Sequence, residues 1–98
     1  MIRTGDLEID LGARIVRTSG RTIDLTPKEY EILALLAANL GRVVRHGAIL
    51  KAVWGSERAD VQYLRVYIGQ LRAKIETRPA IPRLLVSDPG VGYRLQAL

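Results

Sequence analysis

Between Asp60 and Glu76 the chain carries Gln62, Tyr63, Arg65, Tyr67, Gln70, Arg72 and Lys74, and no carboxylate. Amide side chains offer a donor and an acceptor side by side. Guanidinium and ammonium groups offer positively charged donors, and tyrosine adds a hydroxyl on a flat ring. An acid-free surface so equipped suits a polyanion whose edges carry hydrogen-bonding groups, whereas an ordinary solvated helix intersperses Glu with Lys and Arg. Spacing decides which of these residues share a face. Val61, Leu64, Ile68, Leu71 and Ile75 recur at steps of 3, 4, 3 and 4, the apolar stripe of an amphipathic helix. That helix is expected over 61–77, capped by Asp60 and stopped before Pro79. Away from the stripe, Gln62 and Gln70 lie about 80° apart on a helical wheel. Tyr63 and Val66 share that side, and Arg65 and Gly69 sit at its edge.

Other chemistries are poorly supplied. The chain has no cysteine and one histidine, His46, so neither a thiolate metal site nor a nucleophile–base pair is visible. No metal or cofactor is expected. Gly90-Val91-Gly92 is followed by no helix and reads as a hairpin turn, not a phosphate cradle. The acids sit mostly on strands, at helix caps or in turns, so the chain is not expected to be an enzyme. Fifteen Lys and Arg against ten Asp and Glu give +5 and a pI near 10.1. Residues 1–39 hold five basic and six acidic residues, and residues 40–98 hold ten and four. The positive charge therefore belongs to the second part of the chain, which suits an anionic partner. No apolar run approaches the roughly 20 residues of a membrane span, and the N-terminus lacks a signal-peptide stretch. A soluble, cytoplasmic chain without membrane contact is expected.

The elements that must position this face follow the order βββ-α-α-α-ββ. Leu7–Leu11, Arg14–Thr18 and Arg21–Leu25 alternate as short strands around Gly12-Ala13 and Ser19-Gly20 turns, a small antiparallel sheet over about 5–25. Thr26-Pro27-Lys28-Glu29 is a helix start with a capping box. The apolar helix behind it closes near Asn39-Leu40-Gly41, with Gly41 as a left-handed stop. A second, weakly started helix runs from Arg45 or His46 to Trp54. Gly55–Asp60 is a polar loop. After Arg78–Pro82, Arg83–Ser87 and Tyr93–Gln96 form a hairpin over 83–96. The 98 residues fit one domain, with a three-helix core at 26–77.

Three helices followed by a hairpin is the order of a winged helix, an α+β fold in which helices two and three make a helix-turn-helix. A major groove about 12 Å wide accepts one helix. On that reading Gln62, Tyr63, Val66 and Gln70 face base edges: glutamine can bond adenine bidentately, and valine can meet a thymine methyl. Arg65, Lys74 and Arg94 are candidate phosphate contacts. Alternatives stand beside these roles. Tyr67 reads equally well as a packing residue, Trp54 as a core plug, and Arg94 as a solvated strand cation. A winged helix that binds protein without specific DNA binding is the other functional class, favoured only by the net −1 first part of the chain.

Leu25-Thr26-Pro27-Lys28-Glu29-Tyr30, Gly41-Arg42-Val43-Val44, Val53-Trp54-Gly55, Leu71-Arg72-Ala73-Lys74-Ile75 and Gly90-Val91-Gly92-Tyr93-Arg94 occur in an order and spacing that resemble the OmpR/PhoB-type effector domains of two-component response regulators. The resemblance covers about residues 5–96. Tyr63–Arg72 and Arg78–Arg83 resemble the potassium-responsive KdpE branch. It implies a four-stranded N-terminal sheet, a recognition helix at 61–77, and backbone contacts by Trp54, Tyr67 and Arg72. It implies transcription regulation through double-stranded DNA, on direct-repeat half-sites. It also implies an RNA polymerase contact through Gly55–Asp60, and a receiver domain and sensor kinase for the full-length protein. Ninety-eight residues do not hold a receiver as well, so an isolated effector half or a stand-alone relative is expected. Three features depart from the family pattern. Pro89, preceded by Asp88, stands where many members carry a wing-tip arginine. Gln62 and Gln70 replace base-reading arginines, and Arg45 replaces a Ser or Thr cap.

Overall fold

The computed structural model describes residues 1–98. Its first strand, β1 (Ile2–Thr4), pairs antiparallel with β2 (Leu7–Asp10) around a Gly5–Asp6 turn in which Gly5 takes φ +55°. β3 (Ile15–Thr18) and β4 (Arg21–Thr22) complete a four-stranded sheet in the order β1-β2-β3-β4. The sheet thus begins at Ile2, ahead of the alternation that marks its later strands. Its first strand is tied down from the far end of the chain. The buried Thr4 hydroxyl donates to the carbonyl of Gln96 and accepts from the backbone N–H of Leu98. β4 is shorter than the expected Arg21–Leu25. Ile23 N–H still donates to Val16, but the Asp24 carbonyl turns away to accept from Lys74.

α1 (Pro27–Ala38) starts with the capping box foreseen: Thr26 Oγ1 accepts from Glu29 N–H, and Glu29 Oε1 accepts from Thr26 N–H. Gly41 follows at φ +81°. β5 (Val44–Arg45) leads into α2 (His46–Trp54), whose cap residue Arg45 makes no side-chain cap bond. α3 (Val61–Ile75) is capped by Asp60, which accepts from Gln62 N–H at 2.8 Å. It stops two residues before the expected Thr77. Glu76 is extended, and its carboxylate accepts N–H donors from Arg83, Leu84 and Leu85. The helix end is thereby joined to the start of β6 (Leu85–Asp88), which pairs with β7 (Gly92–Leu95).

The hairpin is part of a three-stranded sheet, β5-β7-β6, because β5 adds to the free edge of β7. Gly92 makes this approach feasible: a Cβ there would fall 1.9 Å from the Val44 carbonyl oxygen. One buried cluster joins the layers. Leu7 and Ile9 from the first sheet, Ile32, Leu33 and Leu36 from α1, Ile49 from α2, Leu64, Ile68 and Leu71 from α3, and Leu85 and Leu95 from the wing are all almost fully buried. Burying each such side chain contributes about 1.5–3 kcal/mol. The result is an α+β winged helix-turn-helix whose third helix is held along one side only.

Candidate nucleic-acid interface

Leu64, Ile68, Leu71 and Ile75 turn α3 toward the core. Gln62, Tyr63, Arg65, Val66, Gly69, Gln70 and Ala73 remain exposed. The structure thus brings all four candidate base readers onto one solvent-facing surface. Tyr63 and Val66 are 60% and 56% exposed, too open to be packing residues. A Cβ at Gly69 would meet nothing within 4 Å, so internal packing does not require glycine there. With Ala73 it leaves the helix backbone close to the surface. Arg65 is exposed and makes no ion pair.

Trp54 and Tyr67 form one border of this face. Both are half-buried, their ring centroids 5.6 Å apart and their planes tilted by 57°. Each is therefore a packing residue that keeps part of its surface exposed. Lys28 lies 5.5 Å from the Trp54 ring and donates to the Val53 carbonyl at 2.8 Å. It satisfies a carbonyl in the last turn of α2, where a cation also suits the helix dipole. Nothing near Lys28 in sequence indicated this role.

Arg72 forms the opposite border. Its Nε donates to the Leu85 carbonyl at 3.0 Å and an Nη to Ser87 Oγ at 2.9 Å, and the guanidinium lies 6.0 Å from the Tyr93 ring. The arginine fastens α3 to the wing and remains partly exposed. Ser87, its partner, carries no signal in sequence. Arg94 lies on β7 with an Nη 3.7 Å from Asp88. The only histidine, His46, stacks edge-on against Tyr93 at 5.4 Å.

Lys74 departs from expectation. Its ammonium is 2.6 Å from Glu29 Oε1 and 3.0 Å from the Asp24 carbonyl, so it is engaged within the molecule, although its side chain stays 35% exposed. Glu29 is 1% exposed. Burial alone would raise its carboxyl pKa, but the hydrogen bond from Lys74, the Thr26 N–H and the ammonium charge together hold it below the ordinary value. This pair serves the fold. No helix is long and apolar enough to cross a membrane.

A winged helix with an open, acid-free third helix is the class these features define. Residues 20–95 match the family model described as transcriptional regulatory protein, C terminal, and the chain belongs to this family of OmpR/PhoB-type response-regulator domains. It is 42% identical over 98 residues to the transcriptional regulatory protein KdpE of Mycobacterium tuberculosis (strain ATCC 25618 / H37Rv), covering 99% of this chain and 43% of that one. It is 38% identical over 95 residues to the KDP operon transcriptional regulatory protein KdpE of Escherichia coli (strain K12), covering 96% and 42%. The chain thus spans less than half the length of these relatives. Among solved structures, the response regulator DrrB, a Thermotoga maritima OmpR/PhoB homolog, superposes with a TM-score of 0.89 at 35% identity, over 97% of this chain and 43% of that one. The Klebsiella pneumoniae RstA DNA-binding domain, solved in complex with the RstA box, gives a TM-score of 0.86 at 26% identity, over 97% and 95%.

Proposed function

We propose that residues 1–98 form one winged-helix unit that binds double-stranded DNA and regulates transcription, as the effector part of a phosphorylation-controlled response regulator. The observation that carries this reading is the exposed strip Gln62, Tyr63, Val66 and Gln70, opposite the buried stripe of α3 and without a carboxylate. α3 is the recognition helix, and those four residues read base edges in the major groove. Arg65, the exposed edges of Trp54 and Tyr67, Arg72 and the wing cation Arg94 meet phosphates. Lys74 belongs to the same set, its exposed part available to phosphate while Glu29 and Asp24 hold the ammonium. One unit makes few contacts, so useful specificity needs copies on direct-repeat half-sites. The Gly55–Asp60 loop, almost wholly exposed at the end of α2, is the surface offered to RNA polymerase. Likeness to the KdpE regulators supports potassium-transport genes as targets, with a receiver domain and a sensor kinase upstream. The chain acts in the cytoplasm as a binding module and not as an enzyme.

Selection from a random duplex library, read out by sequencing, tests this. An enriched, directly repeated motif would support sequence-specific regulation and supply the operator. Salt-sensitive binding without enrichment would remove the base-reading role of the strip. A chain that bound no duplex even at low salt would sink the reading and favour a protein-interaction module.

A further inference from the structure

The wing carries a single carboxylate between Arg83 and Leu98, and it lies against the wing's own arginine. β6 and β7 pair Val86 with Arg94 and Asp88 with Gly92. Asp88 and Arg94 therefore leave the same face of the hairpin, on a diagonal. Arg45, paired with Gly92 across β5, shares that face. Ser87 and Tyr93 take the other face, where Arg72 is bound. The Arg94 guanidinium is 3.7 Å from Asp88 Oδ1, and the two side chains are 35% and 34% exposed. Arg94 Nε and Asp88 Oδ2 are buried without a hydrogen-bond partner. The pair is held by charge over a distance longer than a hydrogen bond. A half-exposed pair of this kind is weak, so a stronger anion can displace the carboxylate at little cost.

We propose that Asp88 is an affinity-determining residue of the wing: it holds Arg94 as an internal counter-ion and so lowers the wing's attraction for DNA phosphates. The inference rests on the DNA-binding reading and assigns to Asp88 a role that reading leaves open. A phosphate brought to the hairpin competes with Asp88 for Arg94, and each binding event exchanges one ion pair for another. The net gain is small while Asp88 is charged. Without its charge, Arg94 is free to neutralise a phosphate, and one more counterion is released from the duplex.

The test compares the wild-type chain with Asp88→Asn, Arg94→Gln and the double variant. Binding of a short random-sequence duplex is followed by fluorescence anisotropy over a range of salt concentrations. Thermal melting checks that each variant folds; Asn keeps the side-chain shape and the Val91 N–H to Asp88 carbonyl bond. Asp88→Asn should bind up to about five-fold more tightly at low salt. Its slope of log affinity against log salt should steepen by about one. Both gains should vanish in the Arg94→Gln background. A folded Asp88→Asn chain with unchanged or weaker binding would overturn the proposal. Gains that survive in the double variant would do so too, because Asp88 would then act by repelling the duplex directly. A wild-type chain with no salt-dependent binding would instead remove the DNA-binding reading itself.

Discussion

Lys74 and Glu29 join the last turn of α3 to the first turn of α1 through an ammonium–carboxylate contact of 2.6 Å, with the carboxylate 1% exposed. The same ammonium donates to the carbonyl of Asp24, which lies between the end of β4 and the start of α1. One cation thereby ties the end of α3 to α1 and to the segment leading into it, while the buried stripe Leu64, Ile68, Leu71 and Ile75 decides which residues of α3 face outward.

That contact predicts a pH dependence. The Glu29 carboxyl titrates below its unfolded value, so its contribution is complete above the ordinary carboxylate range and is lost as pH falls through the folded value. Glu29→Gln should remove this part of the acid sensitivity and cost about 1–3 kcal/mol at neutral pH, through the bonds to Thr26 and Lys74. Urea unfolding at a series of pH values measures both. If the variant's stability ran parallel to wild type into acid, other carboxylates would be responsible.

Gln70→Ala and Arg72→Ala should separate reading from holding. The first should relax base preference at one position, costing about 1–3 kcal/mol there, with little effect on the fold because Gln70 is exposed. The second should weaken all sequences alike and lower the salt slope by about one. It should also lower stability by about 1–2 kcal/mol, since Leu85 and Ser87 lose their donor. Specificity profiles and salt titrations of both variants check this. An Arg72→Ala chain with altered base preference and an intact salt slope would reverse the assignment.

Gly69→Ala should stabilise the chain and weaken its DNA binding. Glycine inside a helix costs about 0.5–1 kcal/mol relative to alanine, and at Gly69 no packing compensates. The added methyl lies on the face proposed to approach the groove. Thermal melting and duplex binding should therefore move in opposite directions; equal affinity with higher stability would place DNA away from this part of α3.

Gly92→Ala should be among the most damaging single changes in the wing, at about 3 kcal/mol or more. Its methyl would meet the carbonyl of Val44 and the backbone of Arg45, so β5 and β7 would have to part. The urea midpoint measures this, and a value close to wild type would mean that β5 can draw back without cost.

Much of the fold and its outward face was legible in local residue patterns. The stripe of α3, the capping box of α1, the left-handed Gly41 and the hairpin around Gly90 are set by period, cap chemistry and turn chemistry, which act within a few residues. The same locality makes the exposure of Gln62, Tyr63, Val66 and Gln70 readable, because they must oppose the stripe. The fourth strand that the resemblance implies, β1, is not legible in the local pattern because its three residues alternate too briefly, and Thr4 is anchored by Gln96 and Leu98. β5 escaped because its two residues gain strand character only beside β7. The early end of α3 follows from Glu76 binding backbone N–H groups beyond Pro82.

Side-chain assignments divide along the same line. Sequence alone determines which residue types lie on the open side of α3, since helical periodicity is a property of consecutive residues. Tertiary structure alone decides which cations are free. Lys74 sits 45 residues from Glu29 and Lys28 sits 25 from Val53, while Arg94 meets Asp88 only through the register of two strands. Charge has no period, and its partner is chosen by whichever element the core brings within reach.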